Sequence, residues 1–600
     1  MISTLKEVPL TLRLRLTCVI ATLLLCTLAH AAVPSPTQQL RNIADRYFDD
    51  QLRLDPIMGS YALGGSRFDG KLVITIAPSE VAKDKALQTR VQREISALPE
   101  KDLNAAEVLS LTILRNQVQN KLDGYAFPSH LLPIDHYGGV PVTLAQFATG
   151  QSAQPLKTVK NYEDFLKRLE MIPAWNEQAM QNVREGVRLG VVLPRPLIER
   201  AIETLQPLTV ARVDQHPYFL PIKNFPASFT KTQRERLTSQ YRLAIAKRIT
   251  PSLVRLVNFV KTDYLPKGRD TDGIEALPNG KAWYDYSIRL HTTTDMSADA
   301  IHNLGLSEVS RIRSDIEKIQ TTYRFEGSIT QFLKDHPSRP EFRPFKTEKE
   351  VLDAYEALNQ KVMRELPKLF TRSPKAPLKV LPEPEVTKAT ASSHYELPLA
   401  NGSRPGVFFA VIMDPKEYAT TEMTALFLHE GQPGHHFHLA GQLELSLPNF
   451  RKYDWITAYG EGWALYAETL GHEMGLYNDP DALLGQLTAE LHRAVRLVTD
   501  TGLHSKGWTR EKTMQYMMET EGVSELEARR STERYMALPG QAVAYKVGAL
   551  KIRELRDRAQ ASLGSKFSYA GFHEQILSDG ALPLSLVERK IDHWIHRTLQ

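Results

Sequence analysis

Five ionisable side chains crowd into the stretch LFLHEGQPGHHFHL at 426–439, namely His429, Glu430, His435, His436 and His438. Met423, Ala425, Leu426, Phe427 and Leu428 precede or interleave them, and Leu439 and Ala440 follow. The segment therefore reads as a buried helix, with Thr420 and Thr421 able to cap its start and Glu422 in the first turn. Imidazoles and a carboxylate are costly to bury unless paired or bound to a metal. A divalent cation, Zn²⁺ first among them, takes both ligand types.

The usual pattern for such a site is H-E-x-x-H, which sets two imidazoles one turn apart with the glutamate beside them as general base. Here position 433 is proline and the next histidines are His435 and His436. On an ideal helix His436 returns to within about 20° of His429 but stands about 10.5 Å further along the axis. Ligands about 2 Å from one zinc cannot be so far apart. Pro433 lacks an N–H and clashes with the preceding turn, so the helix must kink or bulge there. If two residues loop out around Gln432-Pro433-Gly434, His435 falls where the second imidazole belongs. His429 and His435 are the expected ligands, with His436 as the rival.

A catalytic zinc wants a third protein ligand and an open position. Tyr459 to Leu470, YGEGWALYAETL, supplies Glu461 among apolar neighbours, with Glu468 on roughly the same helix face to orient a ligand imidazole. Further on, DTGLHSKGW (500–508) reads as a glycine-punctuated turn holding His504 and Lys506, and ERYMALPGQAVAYKVG (533–548) carries Arg534, Tyr535, Tyr545 and Lys546. Tyr545 or His504, with Tyr535 behind them, would donate to the oxyanion formed when water attacks a carbonyl. Arg534 and Lys546 would bind a substrate carboxylate.

The elements that must position these groups read as mostly helical. Residues 1–31 have the form of a signal peptide: basic Lys6, Arg13 and Arg15, an apolar run from Leu16 to Leu28, and Ala29-His30-Ala31 before the cut. Cys18 and Cys26, the chain's two cysteines, fall within it. The residues before them are not the small ones that lipid anchoring wants, so anchoring is the lesser expectation, and a periplasmic or secreted mature chain needs no disulfide. The net charge of +5 is small for 600 residues and gives no sign of nucleic-acid binding, and no later stretch is apolar enough for a membrane span. Helical periodicity covers 35–130, then 159–190, 194–214 and 231–263. The DHYGGVPVT stretch (135–143) reads as a loop whose His136 and Tyr137 could face a cleft. A Pro/Gly/Asp-rich passage at 265–280 suggests a boundary between an N-terminal helical lobe (32–270) and a metal-site lobe (271–600). Trp283 to Thr294 has strand-like composition, and its His291 reads as structural. Helices follow at 297–323 and 347–369. Residues 375–412 suggest a small sheet or hairpin turning at Asn401-Gly402, leading into the His-Glu helix.

The runs HEGQPGHH, GEGWALYAE, DTGLHSKGW and RYMALPGQAVAYKVG, with NGSRPGVFF (401–409) and HTTTDMSADAIHNLGL (291–306), resemble the bacterial domain-of-unknown-function family 885. That family looks like a distant relative of the helical gluzincin peptidases, among them thimet oligopeptidase, angiotensin-converting enzyme and the thermostable carboxypeptidases. The resemblance implies a mainly α body of two lobes with a deep cleft. It also implies His429 and His435 as imidazole ligands, Glu430 as general base and Glu461 as third ligand. The departure is the two-residue insertion containing Pro433. The implied activity is zinc-dependent cleavage of short peptides, in a carboxypeptidase or dipeptidyl-carboxypeptidase mode with Arg534, Lys546 or Arg404 on the terminal carboxylate. A zinc amidohydrolase acting on a non-peptide or cell-wall amide, or a binding protein with a decayed site, are the other readings. The retained Glu430 argues against decay.

Overall fold

The computed structural model describes residues 34–64, 67–385, 387–388, 391–399, 402 and 404–600. The leader with both cysteines, and Asn401 of the expected turn, lie outside them. The described chain is mainly α, 69% helix and 3% strand.

Three long N-terminal helices pack together, α1 (Pro36–Leu54), α2 (Pro78–Ser96) and α3 (Ala105–Gly124), with a short helix at Pro56–Leu63 between the first two. The Asn104–Glu107 capping box starts α3 by satisfying two orphan donors at once. Helices between 159 and 264 form a second layer. Then come α4 (Gly280–Thr292), α5 (Ala298–Thr322) and α6 (Glu348–Leu369). The stretch with strand-like composition is therefore helix α4. Its Trp283, Tyr284 and Ile288 are buried at helical spacing, and that packing overrides a weak β preference.

The sheet has three strands in the order β1-β3-β2, with β1 (Leu378–Pro382) parallel and β2 (His394–Glu396) antiparallel to β3 (Gly406–Ala410). The central strand GVFFA is buried throughout, as a strand covered on both faces must be. After it run α7 (Met423–Glu430), α8 (His435–Glu444), α9 (Thr457–Thr469), α10 (Pro480–Ser505), α11 (Glu525–Ala537) and α12 (Gln541–Leu563). Helix α7 starts without a side-chain cap, and Thr421 Oγ1 is buried without a partner, so the threonines do not cap it. Helix α10 runs through His504, so 500–505 is not a turn; the missing Cβ of Gly502 makes room for the Trp508 indole, which a Cβ would meet at 2.6 Å.

Two hydrophobic cores interleave along the chain. One joins residues of 134–264 to 309–333 and 484–542, and the other joins 40–118 to 351–477 and 552–595. Each draws on both sides of residue 270. Helices α7 and α9 pack into the second core, and α12 contributes to both. Gly462 and Gly548 allow α9 and α12 to touch: a Cβ on Gly548 would meet Ala458 O at 1.9 Å.

Candidate metal centre

Pro433 ends one helix and permits another. Helix α7 stops at Glu430, residues 431–434 form turns, and α8 restarts at His435. The peptide Gln432-Pro433 is cis. Gly434 crosses so close to α7 that a Cβ there would lie 2.0 Å from His429 O and 2.3 Å from Leu428 O. The polar groups freed by the break find partners: Gly431 N donates to Phe427 O (2.8 Å), His436 N to Gly431 O (3.1 Å), Trp463 Nε1 to Pro433 O (2.9 Å) and Gln432 Nε2 to Asn359 Oδ1 (3.0 Å).

This break turns His429 and His435 towards each other, their rings 4.7 Å apart and at 86°. Glu461 on α9 faces both, with Oε2 3.5 Å from His429 Nε2 and 3.2 Å from His435 Nε2. One ligand atom from each residue lies within 4.8 Å of the others, and all three residues are buried. Although so close, Glu461 Oε2 has no partner with hydrogen-bond geometry. Atoms bound tetrahedrally at about 2.0–2.1 Å from zinc stand roughly 3.3–3.4 Å apart. The two nitrogen–oxygen separations are of that size, and two imidazoles with one carboxylate are a fitting donor set for the ion.

The surroundings prepare the set. His429 Nδ1 donates to Glu468 Oε1 at 2.8 Å, which leaves Nε2 as the face turned to Glu461 and His435. Arg493 Nη2 stands 3.5 Å from the same Glu468 oxygen. Burial alone would depress the His429 pKa, but the carboxylates of Glu461, Glu468 and Glu430 outweigh it and raise it to about 9. Burial likewise opposes ionisation of Glu461, yet the imidazoles of His435 and His429 hold its carboxyl well below the usual range. Glu430 is buried, forms no hydrogen bond with a described residue, and is close enough to His429 to favour its charge. His436 turns away: its Nδ1 is 2.9 Å from Tyr395 Oη, where the absence of a Cβ on Gly406 leaves room, and burial lowers its pKa to about 4.

Tyr545 lies over the centre, its ring parallel to that of His429 at 6.4 Å. Its hydroxyl accepts from Arg534 Nη2 (3.2 Å) and Gln541 Nε2 (3.3 Å). With two acceptor positions filled, its own proton is left to donate elsewhere. Arg534 forms no ion pair with a described carboxylate and feels the fields of Tyr545, Tyr137 and Glu461. Tyr137 lies on its loop before a helix that starts at Gly139, within the electrostatic reach of Arg534 and Tyr545.

Three expected site residues are elsewhere engaged. His504 is buried with both nitrogens on backbone, Nδ1 accepting from Ile274 N (3.0 Å) and Nε2 donating to Tyr535 O (2.9 Å). Burial pushes its pKa down to about 4, so it is a structural histidine, not an oxyanion donor. Lys546 is locked between Glu490 (2.6 Å) and Glu308 (2.9 Å), and Arg404 between Glu396 and the Leu397 carbonyl. Neither is free for a substrate carboxylate. Tyr535 is fully buried against Arg496. Gln541, Arg493 and Trp455, which touch Tyr545, Glu468 and His435, had no motif to single them out. For Trp455 the signal was Gly460, a glycine inside a helix whose Cβ would collide with the indole at 2.4 Å.

Residues 56–591 match the family described as "Bacterial protein of unknown function (DUF885)". The chain belongs to this family. Among solved structures, that of the "putative lipoprotein from Colwellia psychrerythraea" is 27% identical, covers 94% of this chain and 100% of its own, and superposes with a TM-score of 0.88. A "putative lipoprotein of unknown function from Shewanella oneidensis" is 18% identical over 93% of this chain and 99% of its own, with a TM-score of 0.68, and shares the fold. Comparison with curated proteins finds no match. No helix among the described residues is long and apolar enough to cross a membrane.

Proposed function

We propose that this DUF885 protein is a zinc-dependent hydrolase of peptide bonds in short peptides, exported to the periplasm. The observation that carries the reading is the buried convergence of His429, His435 and Glu461, with Glu461 Oε2 unpartnered 3.2 and 3.5 Å from the two imidazoles. The resemblance of its motifs to those of the helical gluzincins supports it. The "putative lipoprotein" descriptions of the structural neighbours fit an exported protein.

Bound zinc would polarise the scissile carbonyl and acidify a water. Glu430, next to His429 and without a hydrogen bond to a described residue, takes the proton from the attacking water and passes it to the leaving amine. Tyr545 donates its free hydroxyl proton to the carbonyl oxygen as negative charge develops there, while Arg534 and Gln541 hold that hydroxyl in place. Arg534, unpaired with any described carboxylate, also suits the terminal carboxylate of a peptide, which favours a carboxypeptidase or dipeptidyl-carboxypeptidase mode. Glu468 and Arg493 fix the ring of His429.

The test is metal analysis of the purified protein together with mass spectrometry of a digested peptide library, with and without chelator. About one zinc per chain and chelator-sensitive loss of C-terminal residues are expected. A metal-loaded protein that leaves the whole library intact overturns the reading.

A further inference from the structure

Tyr137, 40% exposed, and Trp455, 41% exposed, are the exposed aromatic side chains among the described residues. Trp455 stands at the candidate metal centre. The Trp455 indole is 5.7 Å from the ring of His435 and 6.4 Å from that of His438. Its place is built in: the indole lies flat on α9 at Gly460, the residue before Glu461, where a Cβ would be 2.4 Å away. Held there, the indole presents an apolar, aromatic surface beside a buried charge cluster.

The exposed face of Trp455 opens into a cavity of about 1690 Å³ between the N-terminal helices and α4. Phe48, Phe127, Trp283, Tyr286 and Tyr453 line it too, with Phe48 stacked on Tyr453 (5.5 Å) and Phe127 on Trp283 (5.6 Å). The ligands themselves are not part of its wall. Trp455, beside His435, is part of that wall, and so are Met536–Pro539, which follow Arg534 in the chain. Sites for drug-sized ligands measure roughly 300–1,000 Å³, so this one has room for several peptide residues. Among its charged lining residues Lys121 pairs with Asp84 (3.7 Å), Lys85 lies over the ring of Tyr125 (5.9 Å) and Arg269 donates to the Val192 and Gly273 carbonyls, while Asp55, Glu80, Asp135 and Asp454 also border it. What remains to recognise a ligand is chiefly apolar and aromatic surface.

We propose that this cavity is the side-chain subsite of the hydrolase, and that Trp455 selects peptides with a large apolar, preferably aromatic, residue next to the cleaved amide. The inference rests on the peptidase reading. Its test therefore has a rate arm and a binding arm, both on the zinc-loaded full-length protein with peptides differing only in Phe, Leu, Ala or Asp at that residue. In the rate arm the Phe peptide is cleaved about ten- to a hundredfold better than the Ala peptide by kcat/KM, from the apolar surface buried. Trp455→Ala brings that ratio to within about threefold, mainly through KM, and Trp455→Phe retains most of it. In the binding arm calorimetry on Glu430→Gln gives the same order of affinities, and adding Trp455→Ala erases it. Zinc content of each variant reports whether the centre is intact. If peptides are cleaved or bound without regard to the side chain, or if Trp455→Ala leaves the preference standing, the subsite is refuted while the peptidase reading survives. If no peptide is cleaved yet the binding preference depends on Trp455, the peptidase reading fails and the subsite stands. If nothing is cleaved and nothing binds, both fall.

Discussion

If His429, His435 and Glu461 hold zinc as proposed, a proton on His429 competes with the cation. Buried His429 has its pKa raised to about 9 because the carboxylates of Glu461 and Glu468 outweigh the cost of burial. Metal must displace that proton. At pH 7 the protonated form therefore predominates, which holds the apparent affinity below its high-pH value. Zinc affinity, measured by competition with a chromophoric chelator, should therefore rise about tenfold per pH unit from pH 7 to 9 and then level off. Calorimetry at pH 7.5 in buffers of different ionisation enthalpy should show about one proton released per zinc. Stability follows with the sign fixed by the direction of the shift. A folded-state pKa raised above the unfolded 6.5 gives stabilisation that is complete below pH 6.5 and is lost as pH climbs through about 9. The metal-free protein should thus lose melting temperature over that window, and the zinc-loaded protein should not share the loss. Glu468→Gln removes the carboxylate on Nδ1, so the affinity plateau should move to lower pH and zinc binding weaken about 10–100-fold. An affinity curve that levels near pH 6.5, the value for a free imidazole, would refute the reasoning.

Tyr545→Phe should lower kcat about 10²–10³-fold with zinc content unchanged, because it removes a donor aimed at the oxyanion; steady-state kinetics with metal analysis decides it. Gly434→Ala places a methyl group 2.0 Å from His429 O, so it should cost roughly 1–3 kcal/mol in denaturant melts and reduce zinc occupancy together with stability. Lys546→Met breaks a buried ion cluster and should destabilise the protein by roughly 3–5 kcal/mol, with KM of the folded enzyme unaltered. A raised KM in a stable Lys546→Met protein would restore that lysine to the substrate site.

What the sequence revealed of this site depended on how local the determinants were. The break at Pro433 was legible because proline's missing N–H and its ring act within one turn, and the return of α8 at His435 followed from the two extra positions. Glu461 and Glu468 were legible because two carboxylates do not sit among Trp463, Leu465 and Tyr466 without partners. His504, Lys546 and Arg404 misled for the opposite reason. Each has a side-chain chemistry suited to catalysis or anion binding, but its partners come from distant segments: Ile274 and the Tyr535 carbonyl for His504, Glu308 and Glu490 for Lys546, Glu396 for Arg404. Nothing in the residues around them foretells that engagement. The helix at α4 was missed similarly, since WYDYSIRLHT has the composition of a strand and only its burial every three to four residues fixes its form.

One hydrogen bond ties the break at Pro433 to the helix that carries Glu461. Trp463 Nε1 donates to Pro433 O at 2.9 Å, and Trp463 is two residues after Glu461 while Pro433 is two residues before His435. The helix that supplies the carboxylate thus grips the break that redirects the imidazole, and the Trp463 ring is wholly buried in the surrounding core. On the other face of α9, Gly462 lies against Gly548, which draws in α12 and with it Tyr545. The glycines on either side of Glu461 therefore serve two different contacts, Gly460 with the Trp455 indole and Gly462 with α12. A loop of four residues between α7 and α8 would ordinarily leave two ligands free to drift. Here it is clamped between His429's own backbone and α9, so the spacing of His429, His435 and Glu461 is set by helix packing rather than by the length of the insertion.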